Sequence, residues 1–119
     1  RTGTPYNRFG HGKQVRDVLH VNDIVDALKM LSQRDWSGNC GVFNISGGDA
    51  NTLSVLELIE LVSEITSNES KDTTLEMRQA DKLVMYLDIS KAKSELGWQP
   101  SVTFEDGIKR LLAWQNEVG

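Results

Sequence analysis

The sequence has one cysteine, Cys40, so no internal disulfide can brace the fold, which fits a reducing cytoplasm. Histidine is nearly as scarce. His11 and His20 stand in no zinc-ligand spacing with Cys40, and no metal site is expected. No apolar run approaches the roughly 20 residues that a membrane-spanning helix needs, which excludes that class. The opening Arg1-Thr2-Gly3-Thr4-Pro5 has neither an initiator Met nor the apolar stretch of a signal peptide, as expected of a fragment or a processed chain. Positive charge is also short. Thirteen basic against seventeen acidic residues give a net charge of -4, so no field-wide attraction to nucleic acid or anionic lipid is expected. Any phosphate site must be local and built on individual arginines.

Two catalytic patterns are missing as well. No G-x-G-x-x-G follows a strand and opens a helix, so the chain carries no dinucleotide fingerprint. No Tyr-x-x-x-Lys pair occurs: four residues after Tyr6 stands Gly10, and four after Tyr86 stands Ser90. Cys40 has no basic neighbour in sequence to lower its pKa, which argues against a nucleophile. No catalytic residue is expected within these 119 residues.

The remaining composition, 39% hydrophobic and 25% charged, suits one soluble globular domain over 1–119. The alternation V-R-D-V-L-H-V predicts a strand over 15–21, followed by a helix capped by Asp23, with Ile24, Ala27, Leu28 and Leu31 on its apolar face. Ser37-Gly38-Asn39 marks a turn, and β-branched and aromatic content predicts a buried strand over 41–46, broken by Gly47-Gly48. Ser54 and Glu57 have capping-box spacing ahead of a helix reaching about residue 65, which buries Val55, Leu58, Ile59, Val62 and Ile65. A polar loop over 66–73 precedes short strands over 74–78 and 83–88. A helix over 90–96 then ends at a left-handed Gly97, and a last helix opens at Thr103 and runs to about residue 117. Trp98 and Trp114 fall at core-packing positions, and Trp36 follows a charged helix end. The class is mixed α/β: a small mixed sheet with about four helices, whose open edges favour pairing with another domain or another copy.

Arg16 follows the glycine-punctuated G-H-G-K-Q-V. It suits either a phosphate contact or a surface pair with Asp17 or another acid. Arg78 with Asp81 three residues on offers either a cation and a ribose-binding carboxylate or an ordinary ion pair.

Six segments, in order, resemble the C-terminal half of the extended short-chain dehydrogenase/reductase family, the NAD-dependent sugar-nucleotide epimerases and dehydratases. They are FGHGKQVRDVLHVNDIVDA (9–27), VFNISGG (42–48), LSVLEL (53–58), MRQAD (77–81), DISKAKSELGWQP (88–100) and FEDGI (104–108). Within the family, GKQVRDVLHV and DISKAK are similar to the CDP-paratose 2-epimerase group, on a framework shared with UDP-sugar epimerases.

The resemblance implies that Arg16 and Arg78 grip the diphosphate of a CDP- or UDP-sugar and that Asp81 holds its ribose. Phe9 would pack near the base, with Val18 and Val55 as the apolar wall. It further implies that NAD, its glycine turn and the Tyr/Lys pair belong to an N-terminal Rossmann domain that this chain lacks. The expected function is the nucleotide-sugar-binding portion of such an enzyme, cytoplasmic and inactive alone. The alternative is a self-associating interaction module derived from one, for instance a homodimer.

Overall fold

A computed structural model of the chain describes residues 5–37, 41–69 and 71–118. Strand β1, Tyr6–Phe9, pairs in parallel with β4, Asp72–Leu75, in the register Tyr6 to Asp72 through Phe9 to Leu75. Strand β2, Val15–Asp17, is the centre of a second sheet. Strand β3, Thr52–Ser54, lies antiparallel on one side of it and β5, Val84–Met85, parallel on the other. Among the described residues three α-helices, α1 (Val21–Gln33), α2 (Val55–Thr66) and α3 (Phe104–Val118), with a 3-10 turn over Asp49–Asn51 and a π-helical turn over Ala92–Leu96, give the mixed α/β class that was expected.

The caps on α2 and α3 follow the sequence. Ser54 Oγ accepts from Glu57 N at 3.2 Å, and Glu57 Oε2 accepts from Ser54 N at 2.7 Å, which closes the capping box. Thr103 Oγ1 accepts from Asp106 N at 3.2 Å at the start of α3. Gly97 ends the π-helical turn in the left-handed region at φ 70°.

Helix α1 differs. Its cap is His20, whose Nδ1 accepts from Asn22 N at 3.2 Å, and Asp23 lies inside the first turn. Asp23 is turned inward because three donors await it across the chain: Ser101 N at 3.0 Å, Ser101 Oγ at 2.7 Å and Val102 N at 3.2 Å. The strand expected over 15–21 stops at Asp17: Val18 N still donates to Asn51 O at 3.0 Å, the next position in the register with β3, but His20 already caps α1, which takes over from Val21.

Residues 41–46 form no ladder among the described residues. β-Branched residues favour an extended backbone but do not supply a partner strand, and here side chains hold the segment instead. Asn44 Nδ2 donates to Asp88 O at 3.0 Å, Lys91 Nζ donates to Val42 O at 3.1 Å, and the Ser46 hydroxyl donates to Asp17. Strand β4 begins at residue 72, within the expected loop, because β1 supplies a partner for its polar first half. Strand β5 keeps only two of its expected residues, and Leu87 N donates to Asp17 Oδ2 at 2.9 Å. The expected turn beyond Ser37, and Cys40, lie outside the described residues, as do the first four residues.

The core is small. Ala27, Ala92 and Trp98 are buried together, with Leu19, Phe43, Ile45, Ile89 and Leu96 packed against them, and Trp98 Nε1 donates to Asp23 O at 3.1 Å. Trp114, expected on a core face, is 56% exposed, and Ile24, Leu28 and Leu111 are exposed as well. The positions of α2 expected to be buried, Val55, Leu58, Ile59, Val62 and Ile65, are only half-buried, and Leu56 is exposed. The accessible surface, 8657 Å², exceeds the roughly 6,500 Å² of a compact monomer of 13.3 kDa. The radius of gyration, 17.1 Å, exceeds the roughly 13.5 Å of a compact 119-residue domain. The apolar faces of α1 and α3 therefore have too little of this chain against them to form an ordinary core.

Candidate functional site

Four segments converge beside α2. Strand β1 ends at Phe9, and Gly10 N donates to Leu75 O at 2.9 Å, which ties the glycine turn to the end of β4. The chain then enters β2 through Gln14, with Val15 N donating to Leu83 O at 2.7 Å. Val55 N donates to Gln14 O at 3.1 Å and fixes the start of α2 against that strand. After β4, a turn closed by Asp81 N to Arg78 O at 3.0 Å brings Arg78 and Asp81 to the same place. The result is a cavity of about 500 Å³ lined by Arg8, Phe9, Gln14, Arg16, Val55, Arg78, Ala80 and Asp81.

Of the six candidate residues, Phe9, Arg16, Val55, Arg78 and Asp81 line this cavity. Val18 does not. It lines a separate, mostly apolar cavity of about 410 Å³ with Val102, Phe104, Ile108, Leu111 and Trp114, because the chain has left β2 and turned toward α3 by that point.

The three arginines are engaged to different degrees. Arg8 is the most restrained: Nε meets Asp72 Oδ2 at 2.5 Å, Nη2 donates to Thr74 Oγ1 at 2.8 Å and Nη1 donates to Gly10 O at 3.0 Å. Arg16 Nη2 donates to Asp81 Oδ1 at 2.6 Å and its Nη1 to Val15 O at 2.7 Å. The Arg78 side chain makes no ion pair or hydrogen bond among the described residues. Its guanidinium carbon stands 3.9 Å from the centroid of the Phe9 ring, a stacked position that leaves the planar edge with its donors available. A positive cluster in an acidic chain, with one guanidinium held by a ring and not by a carboxylate, can take an anion with two acceptor oxygens.

Sequence reasoning missed Arg8 and Gln14. Gln14 stands two residues before Arg16, so the two-residue period that gives Arg16 its face places Gln14 there too. Arg8 carried no comparable signal, since β1 is defined by its pairing with β4. Elsewhere, His11 and His20 serve local turns, each accepting a backbone N–H through Nδ1.

The Gly10–Gly12 turn leads into a strand, and Gly47 is packed so closely on Val18 that an added Cβ would overlap the Val18 carbonyl. Among the described residues no glycine turn opens a helix of the kind that cradles a pyrophosphate.

A family model described as GDP-mannose 4,6 dehydratase matches residues 2–111. The chain belongs to that family, within the extended short-chain dehydrogenases/reductases. Among its fellow members, the CDP-paratose 2-epimerase of Salmonella typhi is 36% identical over 118 residues, covering 96% of this chain and 34% of that protein. The UDP-glucuronate 4-epimerase of Thermodesulfobacterium geofontis is 33% identical over 117 residues, covering 95% of this chain and 34% of that protein. The UDP-glucose 4-epimerase of Thermotoga maritima, solved with UDP-glucose, superposes with a TM-score of 0.84 at 33% identity, covering 97% of this chain and 36% of that one. This family member thus spans about a third of the length of the relatives it matches.

Proposed function

We propose that the chain is the nucleotide-diphosphate-sugar-binding portion of an NAD-dependent sugar epimerase or dehydratase and is not catalytic alone. The observation that carries this reading is the convergence of Phe9, Arg16, Val55, Arg78 and Asp81 on one cavity, with Arg78 stacked on Phe9 at 3.9 Å. In this reading Arg16 and Arg78 neutralise the diphosphate, Asp81 accepts from ribose hydroxyls, and Phe9 and Val55 flank the base and ribose. Val18 faces the other cavity and is left out of this contact set. NAD would supply hydride chemistry on a Rossmann partner domain. The exposed apolar residues of α1 and α3 support such a partner, since burying them would complete a core that this chain leaves open. A cytoplasmic setting belongs to the same proposal.

The test is calorimetric titration of the chain with CDP and UDP, repeated on Arg16→Ala and Arg78→Ala. Each substitution should weaken binding about tenfold or more, the scale of a lost hydrogen bond to a charged group. No binding at millimolar nucleotide, or binding indifferent to both substitutions, would sink the proposal. The exposed Val21, Leu111 and Trp114, which line the apolar cavity, favour a second reading as a self-associating module. Light scattering that finds a strict monomer with and without nucleotide would remove that one.

A further inference from the structure

Gln14 is 4% exposed, yet it lines the cavity that Arg16, Arg78 and Asp81 share. Its Nε2 donates to Phe9 O at 2.8 Å and to Asp81 Oδ2 at 3.1 Å. A backbone carbonyl and a carboxylate offer acceptors only, so the amide has one sensible orientation: Nε2 toward them and Oε1 away. In that orientation Oε1 is buried and has no hydrogen-bond partner among the described residues. A fold selected for stability alone gains little from such a residue, because a buried acceptor without a donor costs about 1–3 kcal/mol.

Asp81 shows what the arrangement achieves. Residues 76–80 just before it are exposed, so packing there restrains the carboxylate very little. Its two oxygens are instead fixed from β2 and the residue just before it: Arg16 Nη2 donates to Oδ1 at 2.6 Å and Gln14 Nε2 donates to Oδ2 at 3.1 Å. Two donors on the two oxygens set both the position and the plane of the carboxylate, and each oxygen keeps lone-pair capacity for a further donor. Gly10 makes the placement possible, since a Cβ there would stand 2.9 Å from Gln14 Nε2.

We infer that Gln14 is a positioning residue that orients the Asp81 carboxylate toward the hydroxyl groups of a bound nucleoside, and that its buried, unpartnered Oε1 is the stability given up for that orientation. The inference rests on the nucleotide-binding reading above. It adds a residue that acts through Asp81 and needs no contact with the ligand.

Two probes separate the roles. Inorganic diphosphate engages the arginines and has no ribose, whereas UDP engages both the arginines and Asp81. In Gln14→Met, which keeps the volume and removes both polar atoms, UDP affinity should fall about three- to tenfold, the scale of one neutral hydrogen bond lost at the ligand. Diphosphate affinity should stay within about twofold. The melting temperature should move by no more than about 4 °C, because the lost Nε2 bonds are offset by removal of the orphaned oxygen. In Gln14→Glu, a carboxylate faces Asp81 and the Phe9 carbonyl without a donor, so the UDP loss should exceed that of Gln14→Met.

Equal losses for UDP and diphosphate, or a larger drop in melting temperature, would make Gln14 a general structural element and overturn the inference. An unchanged UDP affinity in either variant would overturn it too. Those outcomes leave the nucleotide-binding reading standing. That reading fails separately if the parent chain binds neither probe, and the inference then falls with it.

Discussion

Arg16 on β2 and Asp81 after β4 meet at 2.6 Å across 65 positions of sequence, and the pair forms one wall of the cavity beside α2. In the proposed nucleotide-binding reading, the contact has opposite consequences for the two halves of the ligand. A carboxylate at this distance cancels much of the guanidinium field that a phosphate would feel, while holding an acceptor where a ribose can use it. Asp81→Ala should therefore strengthen binding of inorganic diphosphate, by about two- to fivefold at low salt, and weaken binding of UDP. Titrations of both ligands on one preparation check this. A loss of both affinities together would mean that Asp81 mainly supports the cavity.

Asp23 governs a different property. It is 2% exposed in the first turn of α1, and its carboxylate ties that helix to the segment leading into α3. Burial pushes its pKa up, but the Ser101 hydroxyl and amide, the Val102 amide and the nearby His20 pull harder, and the carboxyl sits below the usual range. A depressed folded-state pKa means that the unfolded chain binds the proton first. Its contribution is complete above the unfolded value of about 3.9 and is lost as pH falls from there through the folded value. Asp23→Asn should destabilise the chain by about 1–3 kcal/mol at neutral pH and flatten the decline in stability below about pH 4. Denaturant melts at neutral and acidic pH give both quantities. If the Asp23→Asn variant declines with acid as steeply as the parent, the acid sensitivity belongs to other groups.

Asp23 also shows where sequence reasoning stopped short. Its type and position before an apolar stripe suit a helix cap, and nothing local tells that Ser101 and Val102 will stand opposite. The capping box of Ser54 and Glu57, the left-handed Gly97 and the Thr103 cap were legible because their partners lie within a few residues. Strand β1, the early start of β4 and the missing ladder over 41–46 depend on pairing between distant segments, which alternation alone does not specify. At the site, Arg16, Arg78 and Asp81 stood out as charged residues beside turns. Gln14 did not: the two-residue period puts it on the face of Arg16, but an uncharged amide shows no role until its two acceptors are in place.

Gly47 and Gly97 make a paired test of packing against backbone conformation. A Cβ at Gly47 would overlap the Val18 carbonyl oxygen and come within 2.7 Å of the Val18 carbonyl carbon, so backbone would have to move. At Gly97 the backbone is left-handed at φ 70°, but no atom lies within 4 Å of an added Cβ. Gly97→Ala should thus cost only the conformational penalty of about 1–2 kcal/mol. Gly47→Ala should cost more, about 3 kcal/mol or above, by forcing Val18 away from its bond to Asn51. Equilibrium unfolding of the two variants ranks them, and a smaller loss at Gly47 would show that the contact with Val18 relaxes easily.

The stacking of Arg78 on Phe9 leads to the last prediction. The guanidinium carbon lies 3.9 Å from the Phe9 ring centroid, and in the proposed reading this contact helps to orient the fork that would meet a diphosphate. Arg78→Lys keeps the charge but loses the planar fork and the flat stack, and should weaken UDP binding about tenfold. Phe9→Leu keeps the fork but removes the ring, and should weaken binding less, about two- to fivefold, on the scale of an exposed cation–π contact. In the proposed reading Arg16 and Arg78 act largely through charge, so affinity in the parent should also fall as salt rises, and Arg78→Lys should retain that dependence while Arg78→Ala flattens it. UDP titrations at two ionic strengths on the three variants test the ordering. If the Arg78→Lys variant bound as well as the parent, point charge alone would suffice and the stacked geometry would have no part in recognition.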